Sequence, residues 1–281
     1  MTAGCSKNSD QEITPDPTPV PLPHDYTRLT GVLPAQPESA WRKGDTINVF
    51  SLASVLDNCY VQSGATDAMT GNFKLTTGTE DIVETEKQLY AYTPNRYIYS
   101  KSATTDGLAK LTHTIPAAYS ASEVGASGGI VPRSVSYWGF AAFGSDGSLY
   151  TELHGLTSLL KISPSALPVD TKALVLVTHP QFTLNNQKQQ GGKGESLSGT
   201  LAAVLQAGTS LKTDRHFTST DTLRINLDAT SYDCLYIPVI AGTYSSLSVI
   251  AVSSDDVSDY SWQGSIVKHF ENKTFYVEEV Y

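Results

Sequence analysis

Apolar residues in this chain come in short runs of strand length, each closed by Gly, Pro, Asp or Asn, and no stretch holds a helical period for three turns. TINVFSLA (46–53), NCYVQ (58–62), GNFKLTT (71–77) and KQLYAYTP (87–94) follow one another at hairpin-like spacing. SYWGFAAFG (136–144) and LYTELHGLTSLLKISP (149–164) fill the middle. ALVLVT (173–178), GTLAAVL (199–205), DTLRINLD (221–228), CLYIPVIAG (234–242), SSLSVIAVSS (245–254) and TFYVEEVY (274–281) continue the series. Evenly spaced short strands without intervening helices predict an all-β chain of sandwich type rather than an α/β fold. With 281 residues there is room for one large or two medium domains. A boundary is placed near 147, because the second half then holds a complete set of strands.

Residues 1–24 cannot share in such a core. Prolines at 15, 17, 19, 21 and 23 among Ser, Asn, Asp and Gln remove backbone donors and supply almost no apolar surface, so this segment reads as a disordered tether. Ahead of it, Cys5 follows Thr-Ala-Gly and precedes a polar tract. Small residues before a cysteine and polar residues after it resemble the end of a bacterial lipoprotein signal peptide, in which the cysteine carries the lipid. Cys5 is therefore the expected lipidation site. No apolar run approaches the length of a bilayer span, which leaves Cys5 as the expected means of membrane attachment.

The formal net charge of −9 argues against nucleic acid as a partner, since phosphate capture needs a basic footprint. Cys59 and Cys234 lie inside strand-like segments with no CxxC spacing and read as buried free thiols. GASGG (125–129) satisfies the G-x-S-x-G pattern in letters. The pattern needs a strand, a sharp turn and a helix, whereas IVPRSVSYW follows here, so Ser127 reads as a loop serine. His24, His113, His154, His179, His216 and His269 form no ligand pair, and Asp255, Asp256 and Asp259 read as a solvated turn rather than a calcium loop. His154 reads as a strand residue whose ring caps the core edge. No catalytic residue, metal site or cofactor is expected, and the chain is read as a non-enzyme built to bind or to assemble.

Several segments, taken in order, resemble the fimbrillin family of Bacteroidales surface pili. They are WRKGDTINVF (41–50), KQLYAYTP (87–94), ELHGLTSLLKIS (152–163), CLYIPVIAGTYSSLSVIAVSSDD (234–256) and the closing YSWQGSIVKHFENKTFYVEEVY (260–281). The resemblance implies an outer-membrane lipoprotein or fimbrium at the surface of a Gram-negative bacterium, with two transthyretin-like β-sandwich domains in tandem (25–147 and 148–281) after the tether. It implies a structural subunit of an adhesive fimbrium, assembled by donor-strand exchange after N-terminal proteolysis. The expected partners are other fimbrial subunits and, through the lipid, the outer membrane. Arg28 is the first candidate for cleavage and Arg42 the second, residues 25–33 the strand to be displaced, and 266–281 the candidate for a donated or edge strand.

The rival reading is a stand-alone surface lipoprotein that binds a glycan or host protein, or a fimbrial anchor or tip subunit. PNRYIY (94–99) and SYWGF (136–140) are rich in aromatics, and Tyr97, Tyr99 and Trp138 would be the rings offered to a sugar face. Aromatics at alternate strand positions are more often core.

Overall fold

The computed structural model describes residues 23–35, 39–54, 56–64, 68–83, 88–94, 98–127, 134–178, 183–184, 187–188, 197–205, 212–214, 221–253 and 264–281. Cys5, Tyr97, His179, His216 and the acidic turn at 255–259 lie outside these, as does nearly all of the tether. The regular structure of the described chain is almost entirely strand. In order it forms β1 (Asp25–Val32), β2 (Thr46–Ser51), β3 (Asn58–Gln62), β4 (Thr70–Thr77), β5 (Leu89–Thr93), β6 (Ile98–Ala103), β7 (Ala109–Ile115), β8 (Ala118–Ser120), one short helix α1 (Ala121–Val124), and β9 (Gly125–Ala126). Then follow β10 (Tyr137–Phe143), β11 (Ser148–Gly155), β12 (Ser158–Ile162), β13 (Ala173–Thr178), β14 (Thr183–Leu184) and β15 (Gln187–Lys188). The last are β16 (Gly199–Leu205), β17 (Lys212–Asp214), β18 (Thr222–Asn226), β19 (Cys234–Val239), β20 (Gly242–Val252) and β21 (Gly264–Phe275).

A closed barrel runs in the order β1-β11-β10-β5-β2-β3-β4, with β1 closing the ring between β11 and β4. Closure removes the free edges that an open sheet would present. Its interior is packed by Leu29, Leu33, Trp41, Ile47, Val49, Tyr60, Phe73, Ala91, Leu149 and Leu153, all buried. Strands β2 and β5 are buried on both faces, which is why FS and LYAYT show no clean alternation. Their outward residues Phe50, Tyr90 and Tyr92, with Trp138 from β10, meet Ala109, Leu111, Ala203 and Leu205 of a sheet ordered β17-β16-β7-β6 that lies against the barrel wall.

A second large core lies between the sheet β21-β20-β13-β18-β8 and the small sheet β12-β19-β9. Leu174, Leu176, Leu223, Ile225, Ile237, Val239, Leu247 and Val249 form its centre. The division at 147 falls within the β10–β11 hairpin, where Gly144 N–H donates to Ser148 O and Gly147 takes a φ of 80°. Gly-Ser-Asp-Gly acts as a tight turn here. The barrel thus draws β11 from beyond 147, while β7, β8 and β9 pair with β16, β18 and β19 from the later half.

Candidate functional site

The strand that closes the barrel is the first one in the described chain. Along β11 it runs parallel, with Leu29, Thr30, Gly31 and Val32 opposite Leu149, Tyr150, Thr151 and Glu152. Along β4 it runs antiparallel, with Leu29 opposite Phe73, Thr30 opposite Asn72 and Gly31 opposite Gly71. Leu29 within it and Leu33 just after it are buried. Lifting β1 out would therefore expose two rows of backbone donors and acceptors and an apolar floor, the two things that capture of an extended strand requires.

Three contacts beyond the ladders hold β1 in place. The Trp41 ring packs edge-on against Phe73 at 4.8 Å between centroids, and its Nε1–H donates to Gly31 O at 2.9 Å. The Gly31–Gly71 pair makes room for that ring, since a Cβ at Gly71 would come within 2.7 Å of Trp41 Cδ1. Tyr60 O–H, from β3, donates to Tyr26 O at 2.8 Å, and burial pushes this phenol up to about 12. At the entry to the strand the His24 ring stacks on Phe143 at 3.9 Å.

The two candidate cleavage residues differ in setting. Arg28 lies within β1, opposite Lys74 of β4, its guanidinium 2.6 Å from Asp25. Thr27, then Arg28, holds the Asp25 carboxyl below the usual range, but the pair is at the surface and adds little to stability. Arg42 follows Trp41 and opens the turn into β2, where its N–H donates to Asp45 Oδ2 at 2.7 Å and Lys43 and Gly44 are exposed. A cut after Arg28 leaves Leu29–Val32 in the barrel, whereas one after Arg42 separates the whole of β1 together with Trp41.

Of the aromatics singled out for a sugar face, Trp138 and the backbone of Tyr99 are among the described residues. Trp138 is 1% exposed, with its ring 5.3 Å from that of Phe140 and 5.9 Å from that of His154. It is a core residue and offers no open face, because the β6–β7 sheet covers this side of the barrel. Tyr99 lies on β6. Ser127 is exposed and follows a helix and a short strand, the reverse of the order a nucleophile elbow needs. Cys59 is half-buried and Cys234 buried, both as free thiols. Among the described residues no group of three His, Cys, Asp or Glu side chains could hold a metal, and no helix is long and apolar enough to cross a membrane.

A contact that sequence reasoning did not find ties the chain's end to the barrel. After β21 the chain turns at Glu278, with φ of 66°, and its last residues run beside β12, where Leu159 N–H donates to Glu279 O and Tyr281 N–H to Leu159 O, both at 3.0 Å. The Glu278 carboxylate accepts from Gly155 N–H at 2.5 Å and lies 3.4 Å from His154 Nδ1. That hydrogen bond, helped by the negative charges of Glu278 and Glu152 and opposed by burial, raises the His154 pKa above 6.5. A raised folded value stabilises the contact at pH below 6.5, and the gain is lost as pH rises through the folded value. In Glu278→Gln, which keeps the acceptor and removes the charge, the His154 midpoint should fall toward 6.5; a ring-proton titration followed by NMR reads this directly, and an unchanged midpoint would contradict the contact.

No protein-family model and no curated protein matches the chain. Solved structures align with the chain at low identity. A candidate cell adhesion protein from Bacteroides ovatus aligns at 12% identity and a TM-score of 0.47, over 83% of this chain and 85% of that one. One from Bacteroides uniformis aligns at 14% identity and 0.42, over 89% and 88%. A fimbrial protein from Bacteroides ovatus aligns at 10% identity and 0.32, covering 92% of this chain and 48% of that one. With TM-scores below 0.5, neither fold nor function is transferred from these alignments.

Proposed function

We propose that the chain is a cell-surface adhesion or fimbrial subunit that assembles by strand addition, with β1 as the strand to be displaced and the β4–β11 gap as the acceptor groove. The observation that carries this reading is the place of β1: it is the first strand among the described residues, and it is paired along both edges. The names of the solved structures are of the same kind and add no weight. In this reading proteolysis after Arg42 frees β1 and Trp41 together, Arg28 is the weaker candidate, and an extended segment of another subunit takes their place. The edge strand β21 and the tail after it are the first candidates for that segment. Lipidation at Cys5 and anchoring in the outer membrane of a Gram-negative cell belong to the same proposal. So does the correspondence of the barrel and the second core to two transthyretin-like units, the first reaching past 147 to include β11.

The test is to shear surface material from producing cells and compare mild with boiling conditions on a gel, with intact mass of the products. A ladder that collapses on boiling to a species beginning at Lys43 supports the proposal. A single uncleaved, lipid-modified monomer would point instead to a stand-alone surface lipoprotein.

A further inference from the structure

One titratable pair lies largely buried between β6 and the barrel wall. Lys101 projects from β6 onto the barrel wall, where its Nζ lies 5.0 Å from the centre of the Phe50 ring and donates to Leu56 O at 3.0 Å. The same Nζ is in direct contact with Oδ1 of Asp57, the residue before β3. The two side chains are only 16% and 17% exposed. The other carboxylate oxygen, Oδ2, accepts from the Tyr92 O–H at 2.6 Å, and Asn48 Nδ2 donates to that phenol oxygen at 3.2 Å. Burial raises the Tyr92 pKa, so the phenol keeps its proton and remains a donor to the carboxylate.

This is more than an ion pair needs. An amine is pressed against a carboxyl group whose far oxygen is already held by a hydrogen-bond donor, with little water to compete. Such fixed apposition is what makes an intramolecular bond-forming step fast, and a donor aimed at an oxygen that will carry developing charge lowers the barrier further. We propose that Lys101 and Asp57 join through an isopeptide bond between Nζ and Cγ, a covalent staple from the barrel to the sheet on its outer wall. The ammonium first gives a proton to Oδ1, leaving a neutral amine and a carboxylic acid. The amine lone pair attacks Cγ, and Oδ2 takes the charge of the tetrahedral intermediate under the Tyr92 hydroxyl. A second amine proton passes to Oδ1, which departs as water while the Cγ–Oδ2 double bond reforms. Two of the three ammonium protons leave in the water and the third stays on the amide nitrogen, so no oxidant or co-reactant is needed. Burial pulls the Lys101 pKa down to about 8 and so favours the neutral amine, while the adjoining Asp57 carboxylate favours the ammonium until the proton has passed to Oδ1.

Intact mass of the purified full chain under denaturing conditions tests this. The wild type should be lighter than its sequence by one water, in all or part of the sample, and a protease digest should yield one branched peptide containing both residues 57 and 101. Lys101→Arg, which keeps the charge and cannot form the bond, should show the full sequence mass, and Tyr92→Phe should slow the loss of water. A wild type at the full sequence mass throughout, with no branched peptide, would overturn the proposal and leave an ordinary half-buried ion pair. The wild-type result alone decides, even if a variant fails to fold.

Discussion

Trp41→Ala is expected to destabilise the protein by about 4 kcal/mol, within the range for deleting a large buried aromatic side chain. The ring is 3% exposed, fills the space above Gly31 and Gly71, and anchors β1 through Gly31 O. Because its contacts are concentrated on β1, the loss should be uneven. Native-state hydrogen exchange should speed up across Arg28–Val32 more than in β13 of the second core, and denaturant unfolding should show the lower midpoint. Trp41→Phe keeps most of the packing and gives up the N–H donor, at about 1 kcal/mol. A Trp41→Ala protein within about 1 kcal/mol of the wild type, far below the usual cost of such a deletion, would mean that β1 is held by its ladders alone.

Acidification should expose a second weak point, in β7. His113 is buried between the barrel and its covering sheet, with Nε2 3.0 Å from Ser136 Oγ, and burial lowers its pKa from 6.5 to about 4. The folded state therefore holds a neutral imidazole, whereas the unfolded chain takes up a proton near pH 6.5. With the folded value the lower one, stability is fully present above pH 6.5 and is lost progressively as pH falls toward about 4. At 1.36 kcal/mol per pH unit the loss from this one group is about 3 kcal/mol. Carboxylates titrate in the lower part of the same window, so the useful measurement is a comparison. Unfolding free energy followed against pH should fall more steeply in the wild type than in His113→Gln, and parallel curves would contradict the assignment.

Much of the strand set was legible because alternation and turn residues are local signals. NCYVQ, ALVLVT and GTLAAVL coincide with β3, β13 and β16. What was missed had other causes. In β7 the inward positions are Ala109, Leu111, His113 and Ile115, and a small residue and a histidine among them blur the apolar pattern. β21 is an edge strand whose GSIVKHFENK portion is mostly polar, and it is a strand because β20 pairs along its length. TFYVEEVY reads as one strand, yet only Thr274 and Phe275 belong to β21, since the backbone turns at Glu278 toward β12. Closure of the barrel depends on parallel pairing of β11 with β1 across more than a hundred residues, and no local pattern encodes that. Residues 25–33 were expected to form one strand, and β1 spans Asp25–Val32; its displacement belongs to the proposal. The clamp by Trp41, the Glu278–His154 contact and the Lys101–Asp57 pair arise only when distant segments meet.

The central claim is that β1 must leave the barrel for subunits to join, and a reversible lock on that strand tests it most directly. Thr30 and Asn72 face each other across the antiparallel β1–β4 ladder, with Oγ1 and Oδ1 3.4 Å apart. Cysteines at both positions, Thr30→Cys with Asn72→Cys, can close a disulfide that holds β1 in its groove. The measurement is assembly of this variant in producing cells, read as the ladder of sheared surface material with and without a reductant present during growth. The account predicts monomers while the lock is closed and a ladder like that of the wild type once it is reduced. Equal ladders in both states, with the disulfide shown by mass to be intact in the assembled material, would contradict it.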